Sequence, residues 1–117
     1  MINIGIIGYG YWGPNLVRNF NNSDQFKVKA VCDLDRIKLE PLQQAHPFIN
    51  IDKTFDELIT DSSIDAIAIA TPISTHYDLS IKALQNGKHV FVEKPMADTS
   101  SRCMQLIEES EKRNLVL

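Results

Sequence analysis

One stretch, from Ile4 to Asp33, restricts the possible folds more than any other part of the chain. A short apolar run at residues 4–7 is followed by a glycine-rich segment, a helix-like segment, a second apolar run and Asp33. A dinucleotide-binding fold needs this order of strand, glycine turn, helix, strand and acid. The acid also lies about twenty residues beyond the last glycine, which is the distance that such a fold requires.

The glycine-rich segment reads Gly8-Tyr9-Gly10-Tyr11-Trp12-Gly13. Gly8 would allow a tight turn, Gly10 would let the backbone approach a pyrophosphate, and Gly13 would let the helix lie close to the sheet. Free N–H groups and the helix dipole then favour a negatively charged diphosphate. Asp33 is expected to accept hydrogen bonds from the adenosine ribose. The segment therefore predicts a nucleotide site, with an ordinary structural turn as the alternative.

Composition and charge argue against several classes of function. The 117 residues have the size of one domain, and 44% hydrophobic and 23% charged residues are typical of a globular protein. The net charge is −3 and the basic residues are scattered, so nucleic-acid binding is not expected. The apolar start is too short to cross a membrane and does not resemble a signal peptide. We expect a cytoplasmic protein without a membrane partner.

The two cysteines, Cys32 and Cys103, lack a neighbouring Cys or His at the spacing of metal ligands. We interpret both as small buried hydrophobic residues and predict no metal site.

Strand-like and helix-like segments alternate along the chain. Short apolar runs predict strands at residues 2–7, 26–32, 50–51, 66–70 and 89–92. The last helix is expected over residues 100–113, with Cys103, Met104, Leu106 and Ile107 facing inward. This alternation requires parallel pairing with crossover helices, and so predicts an α/β fold with a doubly wound parallel sheet, the Rossmann fold.

Several residues predict where helices begin and end. Asp35 is expected to cap a second helix that Pro41 keeps short or irregular, and Thr54 with Glu57 has capping-box spacing. Ser74 or Thr75 is expected to begin the helix that Asn86-Gly87 ends.

The final residues, Leu115-Val116-Leu117, suggest the first half of a sixth strand. We therefore expect residues 1–117 to be one dinucleotide-binding domain, truncated within that strand and lacking a second domain. Removal of such a domain would expose apolar surface, so we also expect the fragment to self-associate.

Polar groups follow the strands at the ends where ligands bind in such sheets. They are the glycine turn, Asp33, Thr71-Pro72 with His76, and Glu93-Lys94-Pro95. Their common position after successive strands predicts one site rather than four unrelated turns.

These motifs resemble those of the oxidoreductase family that groups glucose-fructose oxidoreductase, inositol dehydrogenase and rhizopine catabolism proteins. The similarity covers the whole chain, and Glu93-Lys94-Pro95 at a strand end is its most specific motif. The run from Gly10 to Asn15 also resembles the nucleotide-sugar branch, whose members oxidise a sugar hydroxyl on a UDP-linked hexosamine acid.

The resemblance implies that the amino-terminal half binds NAD(P), and that Lys94 is the catalytic residue, which binds the reacting hydroxyl and assists its proton. Glu93 and Pro95 would fix the position of Lys94, and the Lys94–Pro95 bond is often cis in this family. A carboxyl-terminal domain normally supplies an acid and a histidine. We therefore expect this chain to bind cofactor without turnover, and the full-length protein to form a homo-oligomer.

The predicted cofactor contacts are Gly8, Gly10, Tyr11, Trp12, Gly13, Asp33, Thr71, Pro72, His76 and Glu93. Tyr11 and Trp12 could shield the cofactor or pack against the missing domain, and His76 could touch the cofactor or only cap its helix. Lys94 could instead be a surface residue paired with Glu93.

Asp33 favours NAD over NADP, because a carboxylate would repel a 2′-phosphate. Arg36 leaves NADP open, since an arginine can accommodate that phosphate.

The leading hypothesis is the NAD-binding half of a dehydrogenase that moves hydride between a sugar or nucleotide-sugar hydroxyl and nicotinamide. The alternative is a non-catalytic module that senses NAD or CoA. A methyltransferase is disfavoured, because its chemistry does not explain a lysine after the last strand.

Overall fold

A four-stranded parallel sheet forms the centre of the molecule in a computed structural model that describes all residues 1–117. Its strands are β1 (Ile2–Ile7), β2 (Phe26–Cys32), β3 (Ala66–Ile69) and β4 (His89–Val92). The helices are α1 (Gly13–Asn21), α2 (Glu40–Ala45), α3 (Phe55–Thr60), α4 (His76–Gln85) and α5 (Ser100–Lys112). Two 3₁₀ turns, Arg36–Leu39 and Ile73–Thr75, precede α2 and α4.

The strand order is β2-β1-β3-β4, so the chain crosses from one side of β1 to the other after β2. All three strand pairs are parallel. This order and the two helical layers confirm the predicted doubly wound α/β fold.

Two apolar clusters cover the two faces of the sheet. On one face, Ile4 and Ile6 of β1 pack with Leu16 and Val17 of α1. On the other, Ile67 of β3 packs with side chains of α3, α4 and α5, including Leu58, Leu84 and Leu106. Because β3 is buried on both faces, its sequence is apolar at every position rather than alternating.

Several of the predicted helix ends agree with the structure. Asp35 accepts a hydrogen bond from the Ile37 amide, and Pro41 lies in the first turn of the short α2. Thr54 and Glu57 form the complete capping box of α3. Gly87 follows α4 with a φ of 78°, a left-handed conformation that glycine adopts without steric cost.

Two predicted strands do not form. At residues 50–51 a single bridge joins Asn50 to Ala30, with two backbone hydrogen bonds of 2.9 and 3.0 Å beside the outer edge of β2. At residues 115–117 the carbonyl of Val116 accepts one hydrogen bond from the Val90 amide at 2.9 Å, but no strand is present. A strand needs backbone hydrogen bonds at successive residues, and in each of these segments only one residue forms them.

Smaller differences concern where elements begin and which side chains they bury. The strand predicted over residues 66–70 ends at Ile69, and α4 begins at His76 rather than at Ser74 or Thr75 because a 3₁₀ turn comes first. Met104 was expected to face inward but is 54% exposed, whereas Leu106 is fully buried.

Candidate functional site

The register of the sheet brings the predicted site residues to one edge. Ile7 pairs with Cys32 on one side and with Ile69 on the other, and Ile69 pairs with Val92. All four strands therefore end at the same level. The segments beginning at Gly8, Asp33, Ala70 and Glu93 leave the sheet side by side, and we call this the carboxyl edge.

Gly8 makes the first sharp bend at the carboxyl edge. Its φ is +93°, and a β-carbon there would lie 2.5 Å from the carbonyl oxygen of Ala70 on β3's exit segment. The Gly8 amide donates to the Cys32 carbonyl at 2.8 Å, so the bend begins while still hydrogen bonded to β2. Both the dihedral angle and the close approach require glycine.

Beyond Gly8, a row of backbone amides has no acceptor within the protein. It comprises the N–H groups of Gly10, Tyr11, Trp12, Gly13 and Asn15. Trp12 precedes α1 without a side-chain capping bond, and Pro14 has no N–H to satisfy. Unpaired amides at a helix start form an electropositive surface that suits phosphate oxygens.

Gly10 and Gly13 differ in their surroundings. A β-carbon on Gly10 would meet no heavy atom within 4 Å, so this side of the bend is open to an approaching ligand. A β-carbon on Gly13 would lie 2.7 Å from the Tyr9 ring and 3.2 Å from the Gly8 carbonyl oxygen. Gly13 thus allows the start of α1 to contact the glycine bend. The sequence had predicted that Gly13 would allow close contact with the sheet instead.

Asp33 is fixed by two backbone amides. Its Oδ2 accepts a hydrogen bond from Tyr9 at 2.7 Å, and its Oδ1 accepts one from Asp35 at 2.8 Å. The first of these bonds ties the end of β2 to the glycine bend. Each carboxylate oxygen keeps acceptor capacity for a further partner, such as a ribose hydroxyl.

Thr71 and Pro72 form a hydrogen-bonded turn after β3. The hydroxyls of Thr71 and Thr75 lie 2.6 Å apart, and the Thr75 hydroxyl donates to the Pro72 carbonyl at 2.7 Å. Pro72 and Ile73 are exposed at the tip of this turn.

His76 does not project from the carboxyl edge. It is only 1% exposed, and its ring nitrogens lie 2.8 Å from the carbonyl oxygens of Pro95 and Thr71. The expectation that His76 contacts the cofactor is therefore revised, because both ring nitrogens already face protein atoms. Helix capping by its side chain is not observed either.

The segment Glu93-Lys94-Pro95 leaves β4 beside the Thr71–Pro72 turn. The Glu93 amide donates to the Ile69 carbonyl at 3.1 Å, and the Lys94–Pro95 peptide is cis. Lys94 is exposed and makes no ion pair with Glu93 or any other carboxylate. The ion pair between Lys94 and Glu93, which was the alternative interpretation of this lysine, does not form in the structure.

Tyr11 and Trp12 stand out from the glycine bend. They are 86% and 53% exposed, and their rings meet edge to face with centroids 5.2 Å apart. Neither side chain is committed to the core of this domain.

The family of the chain follows from its sequence. Residues 2–117 match the oxidoreductase family Gfo/Idh/MocA, described as an NAD-binding Rossmann fold. The chain belongs to the Gfo/Idh/MocA oxidoreductase family.

Similar proteins support this membership. The chain is 36% identical over 107 residues to 2,7-anhydro-N-acetylneuraminate hydratase from Escherichia coli, covering 92% of this chain and 28% of that protein. It is 28% identical over 120 residues to a glycosyl hydrolase family 109 protein from Shewanella pealeana, covering 95% of this chain and 26% of that protein. An NAD-binding protein from Listeria innocua has the same fold, with a TM-score of 0.91 and 31% identity over 98% of this chain and 34% of that chain.

The chain thus spans about a quarter to a third of the length of these relatives. What it shares with the Gfo/Idh/MocA family is the NAD(P)-binding domain.

The bend and its neighbours fit the dinucleotide that this family binds. Unpaired amides and the open side of Gly10 leave room and donors for a diphosphate, while Asp33 presents a fixed acceptor on the next strand. No group of three or more His, Cys, Asp or Glu side chains could hold a metal ion. None of the helices combines the length and apolar character that a membrane span requires.

Cys32 lies directly before Asp33 in this Gfo/Idh/MocA domain. Burial raises the pKa of its thiol, and the nearby carboxylates of Asp33 and Glu57 raise it further. A protonated thiol is a poor nucleophile, so Cys32 acts as a half-buried apolar side chain.

Sequence reasoning missed two groups that shape the Gfo/Idh/MocA domain. One is the Tyr9 amide, which binds Asp33 from the middle of the glycine motif. The other is Lys88, which is buried and donates from Nζ to the carbonyls of Asp61 and Ile64 at 2.7 and 2.6 Å. In the sequence, the available signal for a buried Lys88 was its position between Gly87, which ends a helix, and the strand that follows.

Proposed function

We propose that the chain binds NAD at the glycine bend and that Lys94, in the full-length protein, takes part in oxidation of a sugar or nucleotide-sugar hydroxyl. The main support is that unpaired amides, the fixed Asp33 carboxylate and the unpaired Lys94 ammonium share one edge of the sheet. Membership of the Gfo/Idh/MocA family agrees with this chemistry.

The chain's residues divide the work of holding the cofactor. Amides from Gly10 to Gly13 would bind the diphosphate, and Asp33 would accept from the adenosine ribose. Thr71, Pro72 and Glu93 leave the neighbouring strands and would border the nicotinamide half. Bound NAD supplies the hydride acceptor.

Lys94 would bind the reacting hydroxyl and assist removal of its proton. A lysine suits this task when no carboxylate competes for its ammonium, and Lys94 has no such partner. The Tyr11–Trp12 pair, which is exposed beside the bend, would shield the cofactor or contact the rest of the full-length protein.

A lysine substitution tests this proposal. Lys94→Ala in the full-length protein should lower kcat for hydride transfer by at least about a hundred-fold, because a positioned proton-transfer group contributes about that much. The Kd for NAD should stay within about three-fold. Lys82→Ala, on the exposed face of α4, serves as the matched control. Full activity of the Lys94 variant would reject the catalytic role.

We further propose that NAD is preferred to NADP. Asp33 would face a 2′-phosphate with a carboxylate, and Arg36 forms an ion pair with Asp52 instead of lying free beside that phosphate. Calorimetry should show that NAD binds more tightly than NADP by at least about ten-fold. Asp33→Ser should reduce this ratio of Kd values, because it removes the repulsion between the carboxylate and the 2′-phosphate of NADP. Asp24→Ser, an exposed turn residue, is the control. Tighter binding of NADP by the unmodified chain would contradict this preference.

Two relatives favour a second candidate function for the same site. A hydratase acting on an anhydro-neuraminate and a glycosyl hydrolase both carry out reactions without net oxidation of a sugar. If the full-length protein also catalyses a sugar reaction without net oxidation, the sugar substrate should be converted while reduced nicotinamide does not accumulate. A steady rise in reduced nicotinamide would instead support the dehydrogenase.

A non-catalytic sensor of NAD or CoA remains the alternative from a different class. Such a module has no need of an unpaired lysine at the substrate side, so loss of activity in Lys94→Ala also separates the two classes. CoA binding stronger than NAD binding would favour the sensor.

A further inference from the structure

We infer that His76 is a positioning residue that fixes the turn carrying Lys94, through a hydrogen bond from its Nδ1–H to the Pro95 carbonyl. The inference rests on the proposed function of Lys94, and it assigns a task to a histidine whose ring is buried between two turns.

The geometry around the ring is symmetrical. Nδ1 lies 2.8 Å from the Pro95 carbonyl oxygen, and Nε2 lies 2.8 Å from the Thr71 carbonyl oxygen. His76 is the first residue of α4 and is 1% exposed, so its ring is enclosed by protein atoms. The ring therefore bridges the turn after β3 and the turn after β4.

A neutral imidazole carries one N–H, which can donate a hydrogen bond to one carbonyl. The Pro95 carbonyl has no donor in the protein other than this ring. We therefore place the ring N–H at Nδ1, facing Pro95.

The turn carrying Lys94 has few other attachments. Within residues 93–97 the remaining hydrogen bond is from the Glu93 amide to Ile69, which comes before Lys94. Pro95 has no N–H to donate, and the Lys94 side chain forms no hydrogen bond or ion pair. Ala97 is buried and anchors the far end. Between these points, the Pro95 carbonyl is held by His76.

The turn after β3, which the ring also contacts, is held by its own hydrogen bonds. Hydroxyl contacts join Thr71 to Thr75, and Thr75 to the Pro72 carbonyl. Because the ring packs against this turn, it can hold the Lys94 turn in one position. Displacement of a reacting group by about 1 Å can lower a rate by about a hundred-fold.

The test combines a substitution with a direct view of the ring. His76→Gln in the full-length protein replaces the fixed ring with a flexible amide that does not hold the Pro95 carbonyl at the same position, so kcat should fall by at least about ten-fold. The Kd for NAD should stay within about three-fold, because the glycine bend and Asp33 lie on other strands. His46→Gln, at an exposed ring after α2, should match the unmodified protein.

Nitrogen-15 NMR of the unmodified protein at neutral pH requires no substitution and therefore applies even if His76→Gln fails to fold. Nδ1 of His76 should carry a directly bonded proton that exchanges slowly with solvent, whereas the ring protons of the exposed His46 should exchange rapidly. An unprotonated Nδ1 in His76 would overturn the inference.

The activity results separate this inference from the proposed function. Loss of turnover in Lys94→Ala with unchanged kcat in His76→Gln would reject the bridge and leave the proposed function standing. Full activity in Lys94→Ala with a proton on Nδ1 of His76 would reject the proposed function, and with it the positioning of a catalytic lysine.

Discussion

Gly8 and Gly10 lie two residues apart in the same bend, yet an added methyl group would meet different surroundings at each. At Gly8 it would lie 2.5 Å from the Ala70 carbonyl oxygen, and the φ of +93° is strained for any other residue. At Gly10 it would touch nothing in the protein. The fold therefore requires glycine at position 8, and we propose that glycine at position 10 leaves the space that a ligand needs.

Alanine substitution should separate these two requirements. Gly8→Ala should lower the free energy of unfolding by roughly 1–3 kcal/mol, because strain and a backbone clash coincide. Gly10→Ala should leave stability within about 1 kcal/mol of the unmodified chain but weaken NAD binding by at least about ten-fold. Denaturant unfolding without cofactor and calorimetry measure the two effects. Equal stability losses, or unchanged NAD affinity in Gly10→Ala, would contradict this division.

At the scale of elements, Asp61 stabilises the end of α3. Its carboxylate accepts hydrogen bonds from the Lys53 ammonium and from the hydroxyl and amide of Ser63. The bond from Lys53, followed by the bonds from Ser63, holds the pKa of Asp61 well below its usual 3.8. The charged form is thus favoured by folding.

This lowered pKa predicts how stability responds to acid. A group whose pKa falls on folding stabilises the protein above its unfolded value of about 3.9, and that contribution is lost as the pH falls through the folded value. Asp61→Asn should therefore be less stable at pH 7, by less than about 1 kcal/mol. The deficit should shrink below about pH 4.

Thermal unfolding as a function of pH measures this effect. Asp24→Asn removes the same charge from an exposed turn without hydrogen bonds and is the control. A deficit that grows in acid would show that the sign is wrong.

At the scale of the whole molecule, β4 has an exposed outer edge. Along this edge, one backbone–backbone hydrogen bond joins the Val90 amide to the Val116 carbonyl. The side chains of Phe91 and Val116 are 47% and 70% exposed. An apolar strand edge with unpaired backbone groups can pair with a second chain. We therefore propose this edge as the surface through which the chain would self-associate.

Sedimentation velocity should therefore show concentration-dependent association of the 117-residue chain. Phe91→Lys should reduce it, because a charge at the edge opposes strand pairing. Phe48→Lys makes the same change at an isolated exposed residue and should have a smaller effect. A monomer at all concentrations would contradict the expectation.

The parts of the fold that were predictable depend on local chemistry. The capping box of Thr54 and the left-handed Gly87 use contacts within a few residues. The predicted strands at residues 50–51 and 115–117 failed because an apolar run alone does not ensure a partner. In each run only one residue forms backbone bonds to the neighbouring strand: Asn50 bonds to Lys29 and Val31, and Val116 bonds to Val90.

The sequence by itself determined the order of elements, the glycine bend and the placement of Asp33 and Lys94 after strands, because parallel pairing aligns strand ends. Only the tertiary structure decided which distant groups meet there. Asp33 binds the Tyr9 amide, and His76 joins the carbonyls of Thr71 and Pro95. Such bonds depend on how separate turns approach one another in space, and spacing along the chain does not encode that approach.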